Sequence, residues 1–267
     1  MADKKLGALP VVTTHQFTDQ FYVLQSSVDK RTTLAALAAA ALNQAADYAG
    51  ISFDDNAVET AITWAEVYHL IDKFDTDAPD SESTSDAANQ RCVIGQTRTY
   101  DVAMSVTAEA AVLNKNYEFR VFEVAASTTA ITGISQADPC VVTATGHPHS
   151  DGDEVKLADI VGMIELNDHI FYVNNAGANT FEIQDADGND IDSTGLTPYE
   201  SGGTTAAATP TAVHAKNQFG QQSEHLSAGP FPVSLTEGNY LEFYVEEYTD
   251  TTNITVDNAL LSLRILS

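Results

Sequence analysis

The sequence predicts a mainly β protein, a sandwich or barrel of antiparallel strands joined by polar turns. Three observations carry this. Period-two alternation recurs in well-separated segments, placing successive side chains on opposite faces of a sheet. Clusters of Asn, Asp, Gly and Thr punctuate those segments. A helical period is confined to one stretch near the N-terminus.

Residues 1–32 read as an extended segment. Pro10 precedes β-branched Val11, Val12, Thr13 and Thr14, then come Phe17, Phe21, Tyr22 and Val23, with no sustained helical period. Residues 33–50 differ: Leu34, Leu37, Ala38, Ala41, Ala45 and Tyr48 recur at steps of three and four. Alanine is the strongest helix former, Thr32 or Thr33 offers an N-cap, and Gly50 sits just past the end. A short Ala-rich helix is predicted, either packed near a symmetry axis or lying alone on its own domain.

From Ile51 onward the pattern is that of strands. Residues 100–107, 117–124, 240–248 and 260–266 alternate. In the second segment Tyr117, Phe119 and Val121 share one face, while Glu118, Arg120 and Phe122 take the other. Turn signals at 113–116, 237–239 and 250–253 separate such segments. The acidic stretch 72–88, around Pro79, reads as an exposed loop. Trp64 and Tyr68 read as core aromatics, with a carbohydrate platform as the other reading. Tyr240, Phe243, Tyr244 and Tyr248 suit a core or a subunit interface.

Residues 131–205 are denser in turn residues and read as a small β-barrel-like domain. Asp187-Gly188 marks a tight turn between alternating apolar positions, and strand-like pieces fall at 140–144, 154–157 and 170–173. The run Ser201-Gly-Gly-Thr-Thr-Ala-Ala-Ala-Thr reads as a flexible end. The expected organisation is an arm (1–32), a helix (33–50), a sandwich (51–130 plus 206–267) and a module (131–205) inserted into a sandwich loop. Loops accept such insertions at little thermodynamic cost.

Composition excludes several functions. The chain has 267 residues, with 12 Lys+Arg against 38 Asp+Glu, for a net charge of −26. Such a charge opposes binding to nucleic-acid phosphates, which rests on cationic side chains, and to anionic membranes. No apolar run approaches the ~20 residues that span a bilayer, and no signal-peptide stretch opens the chain. Hydrophobic residues are 43%, too many for wholesale disorder. A soluble, acidic, non-secretory protein is expected.

Three parts of the chain resemble known families. Ile131-Thr-Gly-Ile-Ser, Val141-Val-Thr-Ala-Thr-Gly-His-Pro-His-Ser-Asp-Gly-Asp-Glu-Val, Asn179-Thr-Phe-Glu-Ile and Tyr199-Glu-Ser-Gly-Gly-Thr resemble a small β module of tailed-bacteriophage tail and capsid-accessory proteins. That module is commonly labelled as similar to a domain of ubiquitin-activating enzymes. It implies no ubiquitin chemistry, since adenylate-forming and catalytic-cysteine machinery are absent. Leu6-Gly-Ala-Leu-Pro-Val-Val-Thr-Thr and Lys30-Arg-Thr-Thr-Leu-Ala-Ala-Leu resemble the N-terminal attachment segment of phage fibre and head-appendage proteins. The flanking strands, including 53–62, 100–106, 117–124, 233–246 and 253–265, resemble the trimeric jelly roll of the TNF/C1q type. These resemblances imply a jelly-roll-like sandwich and a homotrimer.

Chemistry has weaker signals. His147-Pro-His149-Ser-Asp151-Gly-Asp153 could hold a divalent metal or simply form a turn. Asp185 to Asp192 superficially matches a calcium loop but lacks Gly at the sixth position and Glu at the twelfth. There is no Gly-x-Ser-x-Gly elbow, and Cys140 reads as a buried small side chain. No catalytic residue, metal or cofactor is expected.

The expected function is therefore that of a bacteriophage virion structural protein, made in the bacterial host cytoplasm. It would be a homotrimeric capsid decoration, head fibre or tail appendage. Leu9, Val11, Val12, Phe17 and Phe21 would anchor it to capsid or tail proteins. Leu34, Leu37, Ala41 and Tyr48 would line the trimer axis. A host glycan or protein would be the outward partner, with no nucleic acid and no membrane insertion. The alternatives are a depolymerase acting on a host glycan, or a capsid cement protein without host contact.

Overall fold

The computed structural model describes residues 20–25, 28–33 and 47–266. Two compact units divide the chain, one containing residues 1–46 and the other 47–266. In the first, β1 (Gln20–Gln25) and β2 (Val28–Thr33) form an antiparallel hairpin, from Gln20 opposite Thr33 to Gln25 opposite Val28. Phe21 stands in β1 opposite Thr32, and Thr32 and Thr33 close β2. Leu9, Val11, Val12, Phe17, Leu34, Leu37 and Ala41 lie outside the described residues.

The second unit is mainly β, with large antiparallel sheets forming a sandwich. Its first strands are β3 (Tyr48–Phe53), β4 (Glu59–Thr60), β5 (Tyr68–Leu70), β6 (Thr76–Asp77), β7 (Thr84–Asp86) and β8 (Arg91–Val93). The long β9 (Arg98–Ala110) and β10 (Lys115–Ala130) follow. Then come β11 (Gly133–Ile134), β12 (Val141–Thr143), β13 (Glu154–Val161), β14 (His169–Asn174) and β15 (Thr180–Gln184). The chain closes with β16 (Ser201–Phe219), β17 (Glu224–Leu235), β18 (Tyr240–Glu247) and β19 (Ile254–Ile265). Tyr48, expected at the end of the Ala-rich helix, begins β3, because Ala49, Ile51 and Phe53 alternate into the core.

One sheet runs β17-β9-β19-β3-β6, with β4 on β19. The other runs β11-β12-β15-β14-β13-β16-β10-β18-β8-β7, with β5 bridging β14 and β18. The main core lies between them. Val102, Met104 and Val106 of β9 and Ile51 and Leu261 face Tyr117, Phe119 and Val121 of β10 and Phe243 and Val245 of β18. The alternation of β9 and β10 read from the sequence is the alternation that packs this core.

A second core sits within 131–205, built by Val142, Val155, Leu157, Phe171, Val173, Phe181 and Ile183. Strands β10 and β16 pair from Lys115 opposite Phe219 to Ala130 opposite Thr204. Strand β16 also pairs β13, from Val155 opposite Ala207 to Val161 opposite Ser201. One sheet thus serves both cores, and register shifts in β10 between Arg120 and Phe122 and between Val124 and Thr128 accompany the passage from one to the other, as bulges bend a strand. The run at 201–209, expected to be flexible, is the first half of β16.

In the stretch 72–88, Asp72, Asp75, Asp77, Asp80 and Glu82 are exposed, as expected, but β6 and β7 run through it and four side chains turn inward. Phe74, Ser83, Ser85 and Ala87 are buried. The buried Asp47 carboxylate accepts the Ser83 N–H at 2.6 Å, the Ser83 hydroxyl at 3.0 Å and the Tyr100 hydroxyl at 2.5 Å. Asp77 accepts the Ala87 N–H at 2.6 Å and Asp80 the Ser85 N–H at 3.0 Å. These acids satisfy main-chain donors that lack a ladder partner.

Candidate functional site: a cleft beside a buried ionic network

Strand β18 places Tyr240, Glu242, Tyr244 and Glu246 on one face, opposite the face that feeds the main core. Pairing brings Glu118 beside both Glu246 and Lys216, and Arg120 beside both Tyr244 and His214. Glu118 is only 1% exposed. It accepts bonds from Arg120 Nη2 at 2.6 Å and Lys216 Nζ at 2.7 Å, and from the Tyr248 hydroxyl; His214 Nδ1 lies 2.8 Å away. Burial alone would raise its pKa, but bonds from Lys216, Tyr248 and Arg120 outweigh that and hold the carboxyl well below its usual range. Glu246, equally buried, keeps one oxygen without a partner. Burial, with the facing Glu118 adding to it, pushes its carboxyl up.

The same face joins the two cores. Lys156 of β13 reaches both Glu242 oxygens, at 2.7 and 2.9 Å, while Tyr244 donates to Glu242 at 2.5 Å. Burial pushes the Glu242 carboxyl up, whereas the adjoining carboxylate holds the Lys156 ammonium up against its own burial. With two short bonds from Nζ and a third from a phenol, the geometry supports the ion pair. Around it Tyr68, Phe122, Val124, Ile170, Ala206 and Ala208 pack as an apolar seam.

Next to this seam opens a cleft of about 370 Å³, between residues 59–73 and the turn and strand at 164–169. Here β5 and β14 bring His69 and His169 opposite each other, with ring centroids 4.4 Å apart and nearly perpendicular. The Thr63 N–H donates to His69 Nε2 at 2.8 Å, so that nitrogen carries no proton. Nδ1, 2.7 Å from the Val67 carbonyl, is then the donor. Burial, with His169 adding to it, pushes His69 well below the ordinary imidazole range. Burial likewise lowers His169 to about 4. Trp64, partly buried, stands edge-on to His169 at 5.4 Å and Phe171 at 5.7 Å and packs on the second core.

Thr60 Oγ1, on a residue that lines this cleft, is closed to solvent and has no hydrogen-bond partner. Thr60 is only 5% exposed. The charged groups of the cleft are mostly engaged already. Asp72 pairs with Lys73 at 2.6 Å, Asp168 lies 3.4 Å from Lys156, and Glu59 accepts from Asn253 at 3.1 Å. Ile164, 62% exposed, forms an apolar lip.

The sequence-predicted sites fall elsewhere. Tyr48 is partly exposed on β3, opposite Arg264. His147 and His149 stack on each other and are buried. His149 Nε2 meets the Thr205 hydroxyl at 3.0 Å, while Asp151 and Asp153 accept the Ala176 and Ser150 N–H groups. The segment is a turn, and among the described residues no group of three His, Cys, Asp or Glu is arranged to hold a metal ion. Asp185 Oδ1 accepts the N–H groups of Asp187 and Asn189, a hairpin turn with Gly188 at φ +83°. Cys140 is buried, and burial pushes its thiol up to about 11.

Sequence reasoning missed the cleft and the network. One signal was present: Tyr240, Glu242, Tyr244, Glu246 and Tyr248 alternate aromatic and acidic side chains along one face of the strand whose tyrosines were read as core or interface. Residues 138–208 match the family described as the ubiquitin-activating enzyme E1 FCCH domain. The match runs from just before β12 into β16. No curated protein matches the chain.

Proposed function

We propose that this is a structural and binding protein of a tailed-bacteriophage particle: a homotrimeric appendage held by its N-terminal segment and presenting its β domains outward. The observation that best supports a display role is the continuity of β10 and β16. Strand β16 begins inside the segment that matches the FCCH domain and continues into the sandwich, and β10 pairs with it along most of that length. A module tied by two shared strands, a buried ion pair and an apolar seam is held at a fixed angle, as a presented surface requires. The phage-like segments at 6–14 and 30–37 support the particle as its setting. Three anchors on one trimer would add through effective concentration. The charge of −26 per chain would keep crowded copies apart.

Particles lacking the protein test this reading. Loss of adsorption to the host, restored by adding purified full-length protein but not protein lacking residues 1–32, is the expected result. Loss of particle integrity with normal adsorption would assign it instead to capsid cementing. Intact particles with normal adsorption would overturn the proposal.

A further inference from the structure

Strands β17, β9, β19 and β3 give one face of their sheet to the main core and turn the other away from it. Val102, Met104 and Val106 of β9 and Leu261 and Leu263 of β19 point inward, so the residues between them point outward. Pairing sets the outward residues in rows across the strands. Ser227, Ser105, Leu260 and Ser52 form one row, and Ala103 stands beside Ser262 in the next. The face is open: Ser227 is exposed, Leu260 is 41% exposed, and Tyr48 at the start of β3 is 38% exposed. Towards its ends the polar groups close on each other within the sheet. Thr99 meets Ser234 and Thr107 meets His225, each at 3.3 Å, and Arg264 donates to Asp101 at 3.4 Å.

The face is also free of net charge. A chain with 38 acidic residues and a charge of −26 repels its own copies wherever carboxylates meet. From the row of Thr99 to the row of Thr107 these four strands turn one carboxylate outward, that of Asp101, and Arg264 neutralises it. Depletion of charge marks the middle of a protein interface. At ~3.3 Å per residue and ~4.8 Å per strand, the four strands present roughly 700 Å² per copy, close to the ~800 Å² that each partner of a stable interface contributes.

We infer that this face is where copies of the chain meet, the rows around Ser105 closing on the axis of the proposed trimer. The inference rests on that trimer and names its contact surface. Three sheets, each ~19 Å wide, enclose a triangular space whose sides stand ~5–6 Å from the axis, about half the ~10 Å separation of packed sheets. Such a space takes side chains of the size of Ala103, Ser105 and Ser262 on the two middle strands, with Leu260 beside them as the apolar contact. A hydroxyl both donates and accepts, so serines bond across the axis where carboxylates would repel.

Sedimentation velocity of the full-length protein and its variants tests this. The parent should run as a trimer. Ser105→Glu sets like charges against each other at the axis and should move the midpoint of association to at least about tenfold higher concentration. Its circular dichroism should match the parent's, because residue 105 faces away from the core. Ser105→Cys should give covalent dimers under mild oxidation, whereas Ala178→Cys, at an exposed position of the 131–205 module, should not. Cys92 and Cys140 are buried and take no part. A trimer unchanged by Ser105→Glu, or no dimer from Ser105→Cys, would overturn the inference and leave the trimer standing. A dimer dispersed by Ser105→Glu would keep the face as the self-contact and remove the trimer. A monomeric parent would remove both, and loss of particle binding by its Ser105→Glu variant would assign the face to a particle protein instead.

Discussion

Glu118 and Glu246 stand directly opposite each other on neighbouring strands, both almost fully buried. Like charges in that position repel, and the two carboxyls resolve the conflict by diverging. Glu118 keeps its charge because Arg120, Lys216 and Tyr248 bind it. Glu246 keeps its proton to higher pH because burial and Glu118 disfavour the charge.

A pH dependence follows. Glu246 is raised from an ordinary 4.5 to about 7, so between those values the folded protein holds a proton that the unfolded chain has lost. Its contribution to stability is full below 4.5, declines as pH rises towards 7, and is a constant penalty above. Glu246→Gln should therefore match the parent's stability near the acid end of that window and exceed it above pH 7. Thermal melts across the range read this directly. Equal stability at every pH would remove the carboxyl pair as the cause.

Lys156 and Glu242 tie the second core to the sandwich. Lys156→Met strands a buried carboxylate and should cost about 3–5 kcal/mol. Adding Glu242→Leu should recover most of that loss, because two apolar side chains leave no charge unpaired. Urea denaturation of the single and double variants measures both. Trp64, the chain's one tryptophan, packs on the second core, so its fluorescence reports there while circular dichroism reports on all strands. Coincident transitions are expected in the parent, since β10 and β16 belong to both cores.

Gly203 lies in β16 with φ +94°, and a Cβ there would come 2.8 Å from Ile160 Cγ1. Gly203→Ala should destabilise by about 1–3 kcal/mol through backbone strain and crowding. Chemical denaturation checks this; a neutral effect would mean that the run at 201–209 is the flexible end that its composition suggested.

That run shows why legibility was uneven. Where one face of a strand is apolar and the other polar, as in β9 and in Tyr117, Phe119 and Val121 of β10, the period of two gave element, face and core together. At 201–209, Gly, Ala and Thr carry no such contrast, and only the pairing with β10 and β13 makes a strand of them. In the acidic stretch 72–88 the acids face water as read, but that Asp77 and Asp80 also accept the Ala87 and Ser85 N–H groups and pin the segment down has no signature in sequence. Strands β1 and β2 were read as extended but not as paired with each other. The cleft was invisible for a further reason: His69 and His169 are a hundred residues apart and meet only through the pairing of β5 with β14.

The proposed appendage depends above all on three copies associating, so the mass of the purified full-length protein in native solution is its most direct test. Three times the 28.5 kDa of one chain is the predicted result, retained when residues 1–32 are removed. A mass of one chain in both forms would contradict it.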